Sequence, residues 1–185
     1  MPIEACVNGG IQAIEITYTI PNAGQIIEQL SGLYANKDIL IGAGTVCDSA
    51  TASNAILAGA KFIVSPTVDA GMVELCNRYR IVCAAGAFTP NEVKNALQLG
   101  ADYIKIFPAS LCTPAYLGVL HGPFPQAEFM VTGNMTFETL THWLNNGASI
   151  IGVGGLITEP AKNQDYKKVC ENARMVYKTV HMADN

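Results

Sequence analysis

Short apolar runs alternate with amphipathic stretches along almost the whole chain, and that alternation limits the fold more than any other feature. The strand-like runs fall at residues 13–18, 39–46, 61–66, 81–87, 102–109, 128–133 and 149–155. Between them, residues 22–35, 49–58, 70–79, 90–99 and 137–146 place apolar side chains at helical spacing. Several of these stretches carry their own punctuation. Thr89-Pro90-Asn91-Glu92 sets an N-cap threonine, proline at the first helical position and glutamate at the third, and Gly100 stops that helix. Gly59 and Gly147 stand at equivalent places after their helices. A βα period of roughly 20 to 25 residues means a parallel sheet.

An open doubly wound sheet and a closed barrel both satisfy this alternation. Polar residues close nearly every strand: Glu15 and Thr17, Thr45, Ser65, Lys105 and Thr132. A barrel gathers all such ends at one mouth, whereas an open sheet concentrates function at one switch point. The expected fold is therefore an α/β (β/α)8 TIM barrel formed as a single domain over residues 1–185. Only seven strands are found, against about 250 residues for an ordinary eight-unit barrel. The opening residues 3–10 read as the end of a helix, so the first strand and most of the first helix are expected to be missing, an N-terminal truncation.

Composition excludes several functions. No apolar run approaches the about 20 residues that span a bilayer, despite 50% hydrophobic content and a mean hydropathy of +0.25. The net charge is −4 with no basic cluster, which argues against nucleic acid. No GxGxxG or GxxxxGK[ST] follows the first strand. Six cysteines show no CxxC pair, and the start lacks a leader's basic and apolar regions, so buried reduced thiols in the cytoplasm are expected. His121, His142 and His181 are scattered without ligand spacing, so neither a metal nor any other cofactor is expected.

Lys105, in Tyr103-Ile104-Lys105-Ile106-Phe107-Pro108, is the strongest anomaly. Alternation sets it on the face of Tyr103 and Phe107, which would point into a barrel. Burial lowers a lysine's pKa, and the neutral amine so released attacks carbonyls to form a Schiff base. The same pattern is also met by a lysine that faces outward or snorkels to a loop. Glu15 is a carboxylate in an apolar strand, where burial would raise its pKa to suit proton transfer; a charge at a barrel rim fits equally. Gly42-Ala43-Gly44-Thr45 offers backbone N–H groups and a hydroxyl to a substrate carboxylate, or is a close-packed strand end.

Together these pieces resemble the 2-keto-3-deoxy-6-phosphogluconate / 4-hydroxy-2-oxoglutarate aldolases. The matching segments are Gly9-Gly10-Ile11 with Ile14-Glu15-Ile16-Thr17, Ile41-Gly42-Ala43-Gly44-Thr45-Val46, Ala58-Gly59-Ala60-Lys61-Phe62-Ile63-Val64-Ser65-Pro66, Ile104-Lys105-Ile106-Phe107-Pro108-Ala109 and Gly152-Val153-Gly154-Gly155. The resemblance implies a metal-independent class I aldolase in which Lys105 forms an imine with pyruvate and Glu15 is the general acid/base. It implies that Thr45 and Thr132 flank the keto acid and that Phe107 packs against it. It implies phosphate contacts around Gly133, Gly154 and Gly155, and a homotrimer. The reaction implied is reversible cleavage of a 2-keto-4-hydroxy acid to pyruvate and an aldehyde. The sequence departs in three places: Thr19 stands where many members have a carboxylate-binding arginine, Asn134 where Thr-Gly-Gly is usual, and Leu156 where a serine often follows the Gly-Gly. An inactive or regulatory remnant that cannot close its barrel is the competing expectation.

Overall fold

The structure, a computed structural model, describes residues 1–183. It opens with helix α1, Pro2–Asn8. The described residues fall into two compact units, one contiguous (Ala13–Ile106) and one assembled from Met1–Gln12 with the chain from Phe107 onward.

The contiguous unit is four βα repeats and a closing strand. In order these are β1 (Ala13–Thr17), α2 (Ala23–Leu33), β2 (Leu40–Gly44), α3 (Ser49–Leu57), β3 (Phe62–Val64), α4 (Ala70–Tyr79), β4 (Val82–Ala87), α5 (Pro90–Leu99) and β5 (Tyr103–Ile106). Each strand pairs in parallel with the next, in sequence order. The registers sort the side chains onto two faces, because paired residues in parallel strands point the same way. One face carries Ile14, Ile16, Ile41, Ala43, Ile63, Cys83, Ala85, Ala87, Ile104 and Ile106, all buried. This is the face a parallel sheet hides under its crossover helices, and its branched and small residues suit close packing there. The other, inner face carries Glu15, Thr17, Gly42, Gly44, Phe62, Val64, Ala84, Gly86, Tyr103 and Lys105.

Local chemistry sets the ends of these elements. Thr89 Oγ1 accepts the Glu92 N–H while Glu92 Oε2 accepts the Thr89 N–H at 2.7 Å, and Gly100 ends α5 at φ 83°. Asp48 and Asp69 cap α3 and α4 by accepting the N–H groups of Thr51 and Met72, each at 2.7 Å. Strand β5 is shorter than the apolar run 102–109 suggests. Pro108 has no N–H to extend a ladder, and Ala109–Leu111 turn into a 3-10 helix.

The second unit holds α1, α6 (Ala115–His121), β6 (Phe129–Thr132), α7 (Phe137–Asn145), β7 (Ala148–Gly152), α8 (Gly155–Thr158) and α9 (Tyr166–Ala183). β6 and β7 are parallel, with Thr132 opposite Gly152 and an irregularity between Phe129 and Met130. The long helix α9 buries Val169, Asn172, Ala173 and Val176 and packs against α1 and α7. Gly9 lets α1 approach α9 closely, since a Cβ there would overlap Ala173 Cβ. All seven expected strands are present. The unforeseen helices α6, α8 and α9 belong to this second unit.

Candidate active site

In the contiguous unit the inner face is emptied by glycine and occupied by charge. Lys105 lies on β5 with only 5% of its surface exposed, between Ile104 and Ile106, which point the opposite way. Burial holds its amine below the ordinary lysine value, against the opposing charges of Glu15 and Cys47. Glu15 sits on the same face of β1. Burial lifts its carboxyl above the ordinary range, against the pull of Lys105. β1 and β5 are four strand spacings apart, about 19 Å across a flat sheet. That the two groups act on each other's ionisation shows this sheet curling around them.

Room for the carboxylate comes from Gly44, the last residue of β2. A Cβ there would overlap Glu15 Oε1, so any other residue would displace the side chain. Gly42 similarly makes way for the Phe62 ring. In this unit the Gly42-Ala43-Gly44 run is thus a pair of close approaches along the strand. Directly after it, Thr45 holds φ at 55°, the left-handed region that branched side chains avoid. Such strain costs on the order of 1–3 kcal/mol and gathers at functional sites. Thr19 is exposed beyond the end of β1, and its Oγ1 is 2.8 Å from Thr17 Oγ1.

Cys47 was not among the sequence candidates. It lies two residues past Thr45, its Sγ donates to the Thr45 carbonyl at 3.8 Å, and it is exposed. The expectation of uniformly buried thiols is corrected here: Cys6, Cys76 and Cys83 are buried, whereas Cys112 and Cys170 are half-buried and Cys47 is open to solvent. A strand-end loop leaves Cys47 uncovered, and nothing local in the sequence shows that it acts on Lys105.

The remaining candidates fall in the second unit. Phe107 follows β5 and is 40% exposed. Thr132 ends β6, and its Oγ1 is buried without a hydrogen-bond partner. It lies against Gly152, where a Cβ would overlap it. Gly133 and Asn134 continue at φ 117° and 43°, so the asparagine takes up the left-handed turn that a second glycine would make. These residues line a cavity of about 340 Å³ with Gly154, Gly155, Leu156 and Glu159. Asn172 of α9 steadies the far wall by donating to the Leu156 carbonyl at 3.1 Å. Glu159 is paired with Lys162 at 2.8 Å.

The histidines do structural work where the structure shows their contacts: His121 meets the Gly147 carbonyl at 3.3 Å and the Phe129 ring edge-on at 4.8 Å between centroids. Among the described residues, no group of three His, Cys, Asp or Glu side chains could hold a metal ion. No helix among them is long and apolar enough to cross a membrane.

A buried amine and a half-buried carboxyl on one face can do two things together. The neutral amine can add to a carbonyl carbon, and the carboxyl can deliver or remove the protons that addition and dehydration require.

The comparisons with known proteins converge. The profile of the KDPG and KHG aldolase family matches residues 1–172. A 2-dehydro-3-deoxy-6-phosphogalactonate aldolase of Escherichia coli (strain K12) is 32% identical over 154 residues, 82% of this chain and 74% of that one. A solved structure described as native KDPGal matches with a TM-score of 0.91 at 27% identity, over 99% of this chain and 88% of that one. A KDPG aldolase from Legionella pneumophila, solved with pyruvate captured at low pH as a covalent carbinolamine intermediate, matches with a TM-score of 0.87 at 27% identity, over 95% of this chain and 85% of that one.

Proposed function

The chain belongs to the KDPG and KHG aldolase family, and from that premise we propose that it cleaves a 2-keto-4-hydroxy acid through a Schiff base on Lys105. The observation that carries this reading is the opposed pair: an amine held below its ordinary pKa and a carboxyl held above its own, both by burial, on one face of a curled sheet. The Legionella relative captured with pyruvate as a carbinolamine supports the same chemistry. In the proposed sequence the neutral Lys105 amine adds to the C2 carbonyl. Glu15 hands a proton to the departing hydroxyl, giving a protonated imine and water. That imine then accepts the electron pair of the breaking C3–C4 bond, while the Glu15 carboxylate takes the C4 hydroxyl proton and C4 departs as the carbonyl carbon of an aldehyde. Reprotonation at C3 and hydrolysis return pyruvate and free Lys105.

Thr45 and Phe107 flank the keto acid in this proposal, with Thr19 at the edge of its carboxylate site. The unpartnered Thr132 hydroxyl and the backbone at Gly133, Gly154 and Gly155 would receive the distal end of the substrate. No arginine or lysine lines that cavity and Glu159 does, so a phosphate would rest on neutral donors alone. We therefore keep two substrates, 2-keto-3-deoxy-6-phosphogluconate and 4-hydroxy-2-oxoglutarate. The ratio of their kcat/KM values decides between them, and a ratio above ten for the first assigns the cavity to phosphate. The seven strands are proposed to be staves of a (β/α)8 barrel, and the assembly a homotrimer, read by its mass in solution.

The test of the proposal is borohydride reduction with pyruvate present. A covalent adduct on Lys105 is expected, undiminished by EDTA because the imine itself is the electron sink. A folded chain that yields no adduct, or one on another lysine, would overturn it.

A further inference from the structure

Gly86 is buried and stands opposite Lys105 in the register of β4 and β5. Its missing side chain would point onto the inner face, beside the lysine stem, about 4.8 Å away along the sheet. That space is filled by another part of the chain. A Cβ on Gly86 would overlap the Pro66 carbonyl carbon and oxygen, backbone atoms that no side-chain rotation can move aside. The turn after β3 is therefore folded inward over the end of β4.

The turn is fastened at several points. The Ser65 N–H donates to the Ala84 carbonyl at 2.9 Å, and the Gly86 N–H donates to the Thr67 carbonyl at 3.2 Å. Ser65 is fully buried, and its Oγ accepts the Thr67 N–H at 3.2 Å. The two hydroxyls are also within 3.4 Å of each other. Two backbone bonds, at the Ala84 carbonyl and at the Gly86 N–H, thus hold the turn to the end of β4 as a fixed wall.

We propose that Gly86 is a positioning residue for Lys105: it admits the Ser65-Pro66-Thr67 turn onto the inner face, and that turn closes the β4 side of the lysine's cavity against water. The inference rests on Lys105 being the imine-forming amine. The titratable groups that act on Lys105 are Glu15 from β1 and Cys47 from the segment after β2. The inner-face and turn residues of β3 and β4, Val64, Pro66, Ala84 and Gly86, do not titrate. What the β3–β4 side supplies is exclusion of water, and loss of water is the largest influence holding the amine below its ordinary value. Pushing the turn outward rehydrates the ammonium and raises its pKa, so less neutral amine is present at neutral pH.

The experiment is competitive acetylation of Lys105 across pH in the full chain, read by mass spectrometry, with Gly86→Ala, Ser65→Ala and Gly32→Ala beside the wild type. Gly32 is an exposed glycine of α2 with open space where a Cβ would go, so its variant is the control. Gly86→Ala is expected to raise the labelling midpoint by about one pH unit, in line with restored solvation. Ser65→Ala should move it the same way by less, and Gly32→Ala not at all. The rising limb of kcat/KM should follow the labelling midpoint, so that Gly86→Ala regains activity at alkaline pH, which a merely loosened fold would not do. A folded Gly86→Ala that labels like the wild type overturns the proposal. Should that variant fail to fold, an unchanged midpoint in Ser65→Ala overturns it instead. Labelling needs no turnover, so a wild-type chain that traps no pyruvate sinks the aldolase reading while the positioning of Lys105 is still judged on its own midpoint.

Discussion

Substituting Lys105→Met should remove turnover, by at least about 10⁴-fold, because no other group on the inner face can form the imine. Borohydride trapping with pyruvate should vanish with it. The fold is expected to survive. Methionine fills nearly the same volume, and the ammonium it replaces loses its hydration on burial, which works against folding. A single cooperative melting transition checks this, and retained turnover in the folded variant would count decisively against an imine at this position.

The second large effect is expected from Glu15→Gln. The amide keeps the shape that Gly44 accommodates but carries no transferable proton, so kcat should fall by roughly 10²–10⁴-fold. Imine formation should persist more slowly, so trapping remains visible where turnover is lost. The pH dependence carries a sign. The Glu15 charge raises the Lys105 pKa, so its removal lets burial depress the amine further. The rising limb of trapping should then move to lower pH, opposite to the shift expected for Gly86→Ala. A kcat within threefold of wild type would remove Glu15 from the proton-transfer role.

The repeating architecture was legible because its signals are local. The buried helix-side face of β1 to β5 is all Ile and Ala but for Cys83, and α5 announces both its ends through Thr89, Glu92 and Gly100. Strand ends were read too long where small apolar residues continue past the last ladder bond. Val153 to Gly155 extends the run of β7, yet the chain has left the sheet at Gly152 and begins α8 at Gly155. Helix α9 went unread although Val169, Asn172, Ala173 and Val176 stand at helical spacing, because charged residues surround them and an asparagine interrupts the apolar stripe.

For the site, Lys105 and Glu15 were each visible as charges in apolar strands, but nothing local pairs them. They meet only through the registers of five strands. Gly44 and Gly86 were invisible as site residues for a related reason. A glycine's role depends on what approaches it, Glu15 in one case and the Pro66 backbone in the other, and a single sequence does not state its approaches.

The split make-up of the second unit bears on the order in which the chain can be built. Helix α1 packs on α9, so α1 leaves the ribosome well before the helix that covers it. At about 5–20 residues per second, α1 waits on the order of ten seconds or more for it. The contiguous unit has no such delay, since every strand from β1 to β5 meets its neighbour one helix later. Synthesis can thus assemble the Glu15–Lys105 face while α1 is still unpartnered, a short helix with Ala5 and Cys6 waiting to be covered.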